Sequence, residues 1–178
     1  KEQHGGTVTT ITVGEADCDP VIRKALAIGA DDAVRIDAHP QDALHTASLI
    51  AHHAKQGGYD VVLCGKETID HNGSVVGGMV AEMLDAAYIS LATSLDLDGG
   101  KAQAKREASG GLEAVEATLP VVVSAAKGMA EQRIPNMRGI MAARTKPLNV
   151  VPAEGGVQAT AVAKFELPPA KGDCKMVS

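Results

Sequence analysis

The first half of the chain alternates short β-branched runs with helical stretches, and this alternation restricts the fold more than any other feature. TVTTITV (7–13), AVRI (33–36) and DVVLCG (60–65) read as strands. Strands separated by helices that cross back over a sheet form βαβ units, and such units build a parallel sheet with helices on its faces. The pattern predicts a turn at GEAD (14–17), then a helix with Asp19 as N-cap, Pro20 at the first helical position, and Val21, Ala25 and Ile28 along one face. Gly29 is placed to stop it. Pro40 is expected to open a longer helix that runs to Gln56 and ends at Gly57-Gly58. The apolar residues of 60–65 do not alternate, which predicts a strand buried on both faces. After a polar loop, SVVGGMVAEMLD (74–85) predicts a third helix with Ser74 as N-cap.

The second half follows antiparallel habits. Residues 91–125 form a row of β runs punctuated by Gly-Gly pairs at 99 and 110, the pattern of hairpins attached to the parallel sheet. Beyond Lys127 the chain is less regular, with a short helix predicted around 138–143 and Pro-rich strands to the end. The expected class is α/β: an open, mainly parallel, Rossmann-like sheet with flanking helices and an antiparallel hairpin extension. With 178 residues and 45% apolar content, one core and one domain suffice. Residues 1–90 are expected to form its βαβ core, and residues 91–178 the hairpins, a loop and the C-terminal segment.

Composition narrows the chemistry. One Phe, two Tyr and no Trp leave almost no aromatic platform for a base or flavin ring. A net charge of −5 argues against non-specific nucleic-acid binding. Cys18, Cys64 and Cys174 are widely spaced, suggesting neither a zinc site nor a disulfide framework and fitting a reducing cytosol. No apolar run approaches the length of a membrane span, and KEQHGG lacks the layout of a signal peptide. His45, His52 and His53 share a predicted helix without a carboxylate at ligand spacing, so they read as a polar face and no metal is expected. Cys64 reads as a small core residue. No triad or carboxylate dyad is apparent, so no catalytic residue is assigned.

Ligands of open α/β sheets gather outside the carboxyl ends of strands, where loops lead into helix N-termini. Two such ends stand out: Val13-Gly14, and the loop from Gly65 through Lys66, Glu67, Thr68, Ile69, Asp70, His71, Asn72, Gly73, Ser74 and Val75 to Val76. The second enters a helix whose first-turn amides carry partial positive charge, which suits a phosphate. Gly77 and Gly78 would let backbone approach either a phosphate or a neighbouring strand. By itself the pattern is equally a packing device.

Four segments in order carry a resemblance: IRKALAIGAD (22–31), GKETIDHNGSVVGGMVAEMLD (65–85), KREASGGLEAVEATLPVVVSA (105–125) and KGMAEQRIPNMRGIMAARTKP (127–147). Together they resemble the beta subunits of electron-transfer flavoproteins. The resemblance implies a heterodimer with an alpha subunit that holds most of the FAD. It also implies electron transfer from flavin dehydrogenases, such as acyl-CoA dehydrogenases, to a quinone oxidoreductase or other acceptor. The beta subunit would bind AMP or a second FAD through Val13, Gly14 and residues 65–76. A docking loop from about Ala125 to Pro147 would present Arg133, Ile134, Met137, Arg138 and Met141, with Met137 as apolar anchor and Lys127, Arg133, Arg138, Arg144 and Lys146 steering association. Met129, an ordinary core type, would also fall on this loop. Glu107 would face the alpha subunit in an inter-subunit ion pair. The implied compartment is the bacterial cytoplasm or the mitochondrial matrix.

The chain also departs from the family pattern. Where many members have D-x-D-x-x-Q-T-G, it has Asp70, Asn72, Val75, Val76 and Gly77, so a phosphate-binding hydroxyl is lost at Val76 and Ser74 is the nearest substitute. A strand and helix that normally precede the equivalent of Thr7 are expected to be missing, and the C-terminal arm is expected to be shortened. The alternative from another class is a free-standing ATP- or AMP-binding module of the stress-protein kind, for which the region after residue 91 would be surplus.

Overall fold

The computed structural model describes residues 4–170 and 172, so Cys174 lies outside the described residues. The first half forms β1 (Thr9–Val13), a 3-10 turn (Ala16–Cys18), α1 (Asp19–Ile28), β2 (Asp32–Asp37), α2 (Ala43–Gly57), β3 (Val61–Gly65) and α3 (Val76–Leu84). The second half adds β4 (Ala87–Asp98), β5 (Lys101–Ala108), β6 (Gly111–Thr118), β7 (Val121–Ala125), α4 (Met137–Ala143) and β8 (Leu148–Pro152). The α/β class and the hairpins stand as expected, since β4–β5 and β5–β6 are antiparallel pairs while β1–β2, β2–β8, β3–β7 and β4–β7 are parallel.

The strands fall into two sheets, a three-stranded one in the order β1-β2-β8 and a five-stranded one in the order β3-β7-β4-β5-β6. The later strands return into the first half, because β7 pairs with β3 and β8 pairs with β2. β4 joins both habits, its first half running parallel to β7 and its second antiparallel to β5, with register shifts near Ala92. Val121, Val122 and Val123 of β7 are fully buried. Each such side chain contributes about 1.5–3 kcal/mol by leaving water, so this central strand is the hydrophobic axis of the larger sheet. Val121 and Val123 face Ile89, Ala92, Ala102 and Ala104, whereas Val122 faces α2 and α3 through Ala47, Ala51, Val80 and Ala81.

Several local expectations are corrected. β3 is not buried on both faces: it is an edge strand, and Leu63 is 58% exposed. Burial there depends on a neighbouring strand, which periodicity does not reveal. β1 is likewise an edge, and residues of β1 and β3 line one largely apolar cleft of about 270 Å³ with Ile50, Tyr59, Val76, Gly77 and Val80. In α1 the N-cap is Cys18, without a side-chain bond, and Asp19 lies inside the helix. Its carboxylate pairs with Arg35 at 2.8 Å, a charged partner that outcompetes a helix amide. The buried stripe of α1 is Ile22 and Leu26, while Val21 is 66% exposed. Both stripes have helical spacing, and the packed sheet and α4 select between them.

α2 opens at Ala43 rather than at Pro40, because the Asp42 carboxylate caps it by accepting from the His45 amide at 2.7 Å. Its expected end holds, with Gly58 left-handed at φ 61°. Ser74 does not cap α3; Val75 is the N-cap, and Ser74 itself has a positive φ. β8 is the last strand of the described residues, and 153–170 carry no regular secondary structure, so the expected run of strands to the end is not formed.

Candidate functional site

The first wall of the candidate site is the end of β1. Gly14 is buried, and both of its peptide groups are held by β2: its amide donates to the Ile36 carbonyl at 3.1 Å and its carbonyl accepts from Arg35 Nη1 at 2.9 Å. A side chain at Gly14 would collide with the Cys18 sulfur, so the loop 14–18 folds tightly onto itself. Arg35 also reaches Asp19 and Asp37, and its side chain is only 6% exposed. Reading the sequence did not single out this residue. The signal was a charged Arg inside the otherwise apolar run AVRI, since a buried guanidinium requires partners.

The second wall is the β3–α3 connection. Residues 65–75 are exposed and Val76 is half-buried. Asn72 and Ser74 have positive φ, and the Asn72 amide bonds the Thr68 carbonyl at 2.9 Å. Lys66 and Ser74 both engage Glu67, at 3.1 and 2.8 Å, and Ser74 followed by Lys66 holds the Glu67 carboxyl below its ordinary range. The Ser74 hydroxyl is therefore donated to Glu67, which corrects its reading as the substitute phosphate ligand. Thr68 and the His71 amide lower the Asp70 pKa in the same way. No side chain caps α3. Its first-turn amides thus remain the polar groups best placed for an anion. Gly77 serves packing instead, because a Cβ there would lie 2.7 Å from the Cys64 sulfur and 3.1 Å from the Tyr88 ring, so its bareness lets α3 sit against β3 and β4. Cys64 is part of that packing, with its thiol pKa pushed up by burial. Among the described residues, no hydrogen bond or ion pair joins the two walls.

A third feature is the loop before α4 and the helix itself. Asn136 caps α4 by accepting from the Gly139 amide at 2.8 Å. Ile134 is 86% and Met137 73% exposed, and Ile140 and Met141 are also exposed. Arg133, Arg138, Arg144 and Lys127 lie on the surface. Lys146 is corrected out of that set. Its ammonium is half-buried and donates to the Leu26 and Ala30 carbonyls at 2.9 and 2.5 Å, closing the C-terminal end of α1. Arg23 of α1 returns the contact, donating to the Ala143 and Lys146 carbonyls at 2.8 and 2.7 Å. Met129 is corrected too, since it packs against the core of the larger sheet.

Glu107 is exposed on β5, one strand in from the edge strand β6, and its neighbour Arg106 is occupied by Glu113 and Ser90. His45 accepts from the Gln41 amide, and His52 lies beside Gln56 and Glu154. Among the described residues no helix is long and apolar enough to cross a membrane.

The comparisons with known proteins agree with one another. Residues 1–155 match the family model described as the electron transfer flavoprotein domain. The chain is 38% identical over 152 residues to the electron transfer flavoprotein subunit beta of Bacillus subtilis, a match covering 83% of this chain and 59% of that protein. It is 33% identical over 165 residues to the subunit beta of Syntrophomonas wolfei, covering 92% and 66% respectively. To the human subunit beta it is 35% identical over 171 residues, covering 91% and 67%. The chain thus spans roughly three-fifths to two-thirds of the length of these relatives. From the ordered motifs, the α/β fold with its hairpins and these matches together, the chain belongs to the electron transfer flavoprotein family, among the beta subunits.

Proposed function

We propose that this chain works as the beta-type half of an electron carrier. It binds an adenine nucleotide at the two walls, pairs with an alpha subunit that holds the redox-active FAD, and docks flavin dehydrogenases through 125–147. The exposed apolar series Ile134, Met137 and Met141 carries this reading. These side chains face solvent although α4 packs closely on α1, so they are surplus to the core. Adaptable Met beside surface Arg suits several partners bound weakly and in turn. The basic residues steer association, and the apolar side chains provide the anchor.

The nucleotide fits through backbone more than side chains. The uncapped start of α3 and Lys66 supply the polar contacts for AMP, since β2 already holds both peptide groups of Gly14, and the scarcity of aromatic residues favours AMP over a second flavin. FAD, bound mainly by the alpha subunit, would supply the electron chemistry. This chain would supply position and partner choice and perform no acid–base or covalent step. Exposed Glu107 is available for an ion pair across the subunit boundary. The free-standing nucleotide module is disfavoured because β4 to β6 and the docking loop have no use in it.

The test is co-expression with a family alpha subunit. A yellow heterodimer reduced by a flavin dehydrogenase is expected, with Ile134→Ala and Met137→Ala each slowing reduction roughly 5- to 30-fold without loss of FAD. A colourless chain that binds ATP alone would support the other reading, and unchanged reduction kinetics would remove both residues from docking.

A further inference from the structure

We propose that Asn72-Gly73, in the loop between β3 and α3, is a self-modifying site at which the asparagine side chain loses ammonia and becomes aspartate or isoaspartate. The chemistry needs no ligand and does not depend on what the loop binds.

The chain holds three asparagines, and the fold restrains two of them. The Asn136 side chain accepts from the Gly139 amide at 2.8 Å, and the next residue is Met137. Asn149 lies inside β8, opposite Val34 of β2, and is followed by Val150. Asn72 differs on each count. It is exposed, it precedes an exposed glycine, and it turns the loop from the left-handed region at φ 49°. Its own amide is held by the Thr68 carbonyl at 2.9 Å. Among the described residues, however, neither the Asn72 carboxamide nor the Gly73 amide has a hydrogen-bond partner. Electrophile and nucleophile are therefore both left free.

The reaction consumes only water. The Gly73 nitrogen, losing its proton to solvent base, attacks Asn72 Cγ; the new C–N bond closes a five-membered succinimide, and the side-chain nitrogen leaves as ammonia. Water then opens the ring. Cleavage between Cγ and the Gly73 nitrogen gives aspartate, whereas cleavage at the Asn72 main-chain carbonyl carbon gives isoaspartate, with the chain routed through Cγ. No electrons are exchanged. Since the reacting groups belong to adjoining residues, the rate depends on how freely they approach, and glycine removes the Cβ that would crowd the nitrogen.

Either product adds a carboxylate to a loop that already carries Glu67 and Asp70. Isoaspartate also lengthens the main chain by one carbon inside the span that the Ser74 hydroxyl closes on Glu67 at 2.8 Å. That closure must shift or open, and the entry to α3 loosens as the molecule ages.

The test incubates the purified chain in neutral and in mildly alkaline buffer and reads the peptides of all three asparagines by mass spectrometry. An isoaspartyl carboxyl methyltransferase with labelled methyl donor counts isoaspartate. The Asn72 peptide is expected to exchange NH2 for OH, faster in alkali, and to take up label. Gly73→Ala keeps the fold, because a Cβ there would meet only the Val75 side chain at an ordinary 3.7 Å. This variant, and Asn136 and Asn149 in the wild type, should react roughly 10-fold more slowly or less, the equivalent of about 1.4 kcal/mol in the barrier. Asn72 in the folded chain should react within about 5-fold of its rate in urea, as an open loop allows. An Asn72 that changes in urea but not in the folded chain overturns the proposal. Equal rates at the three asparagines of the folded chain, or a Gly73→Ala chain as fast as wild type, overturn it as well.

Discussion

Gly139→Ala probes how the docking helix is held. Gly139 lies where α4 crosses α1, and a Cβ at that position would overlap the carbonyl oxygen of Ala27. The obstacle is backbone, so no side chain can swing aside, and α4 must retreat by roughly 1 Å to restore van der Waals distance. Alanine favours a helix over glycine by about 1 kcal/mol. Forcing an extra carbon into a packed contact costs about 1–3 kcal/mol. The retreat also stretches the contacts that close this interface, from Arg23 to the Ala143 and Lys146 carbonyls and from Lys146 to the Leu26 and Ala30 carbonyls. Hydrogen bonds from charged groups contribute about 1.5–3 kcal/mol each, and partial loss of one is enough to outweigh the gain in propensity. The net expectation is destabilisation by about 2 kcal/mol, a fall of about 4–8 °C in melting temperature for a chain of this size. Urea titration with amide exchange across α1 and α4 measures it, and protection should fall first in α4. A variant as stable as wild type, with α4 protection unchanged, would refute the close approach of the two helices.

Three further outcomes follow from the same geometry. Lys146→Ala should cost about 2 kcal/mol, because it strips the cation from the carbonyls ending α1, whereas Lys127→Ala on the surface should stay within about 0.5 kcal/mol; equal effects in urea titration would return Lys146 to the steering charges. Asp42 is held below the ordinary carboxylate range by the His45 amide and then by the Thr160 and Ala159 amides. The sign follows: its anchoring of 159–160 is complete above about pH 4 and is lost only as pH falls through the lowered folded value. Exchange at the Ala159 and Thr160 amides should therefore stay slow at pH 4 and rise in stronger acid, and a rise already complete near pH 4 would contradict the anchor. Val76→Thr restores a hydroxyl at the start of α3 and should tighten AMP about 5-fold, the equivalent of one net hydrogen bond; titration showing no gain would sink the idea that the valine weakens phosphate binding.

Strand and helix order, the hairpins at the Gly-Gly pairs, the cap at Gly58 and the family itself were legible in the chain, because each depends on residues near one another in sequence. The exposed apolar character of Ile134 and Met137 followed from the family resemblance rather than from periodicity, which treats such residues as core. Helix starts were less legible. At Asp19 and Ser74 a good local capping candidate existed and a distant partner displaced it, Arg35 taking Asp19 and Glu67 taking Ser74, while the helix start expected at Pro40 moved to Ala43 because Asp42 is the cap.

What the chain determined alone is the α/β pattern and the place of its two strand-end loops, since periods of two and 3.6 residues and glycine turns are local properties. Only the tertiary structure decided which face of α1 is buried, that β3 lies at an edge, that Lys146 closes α1 instead of facing a partner, and that Gly77 and Gly139 are bare because another element presses on them. The reason is common to all four. Burial, ion pairing and close approach are relations between residues distant in sequence, and a side chain's role is set by whichever distant neighbour satisfies its charge or fills its space.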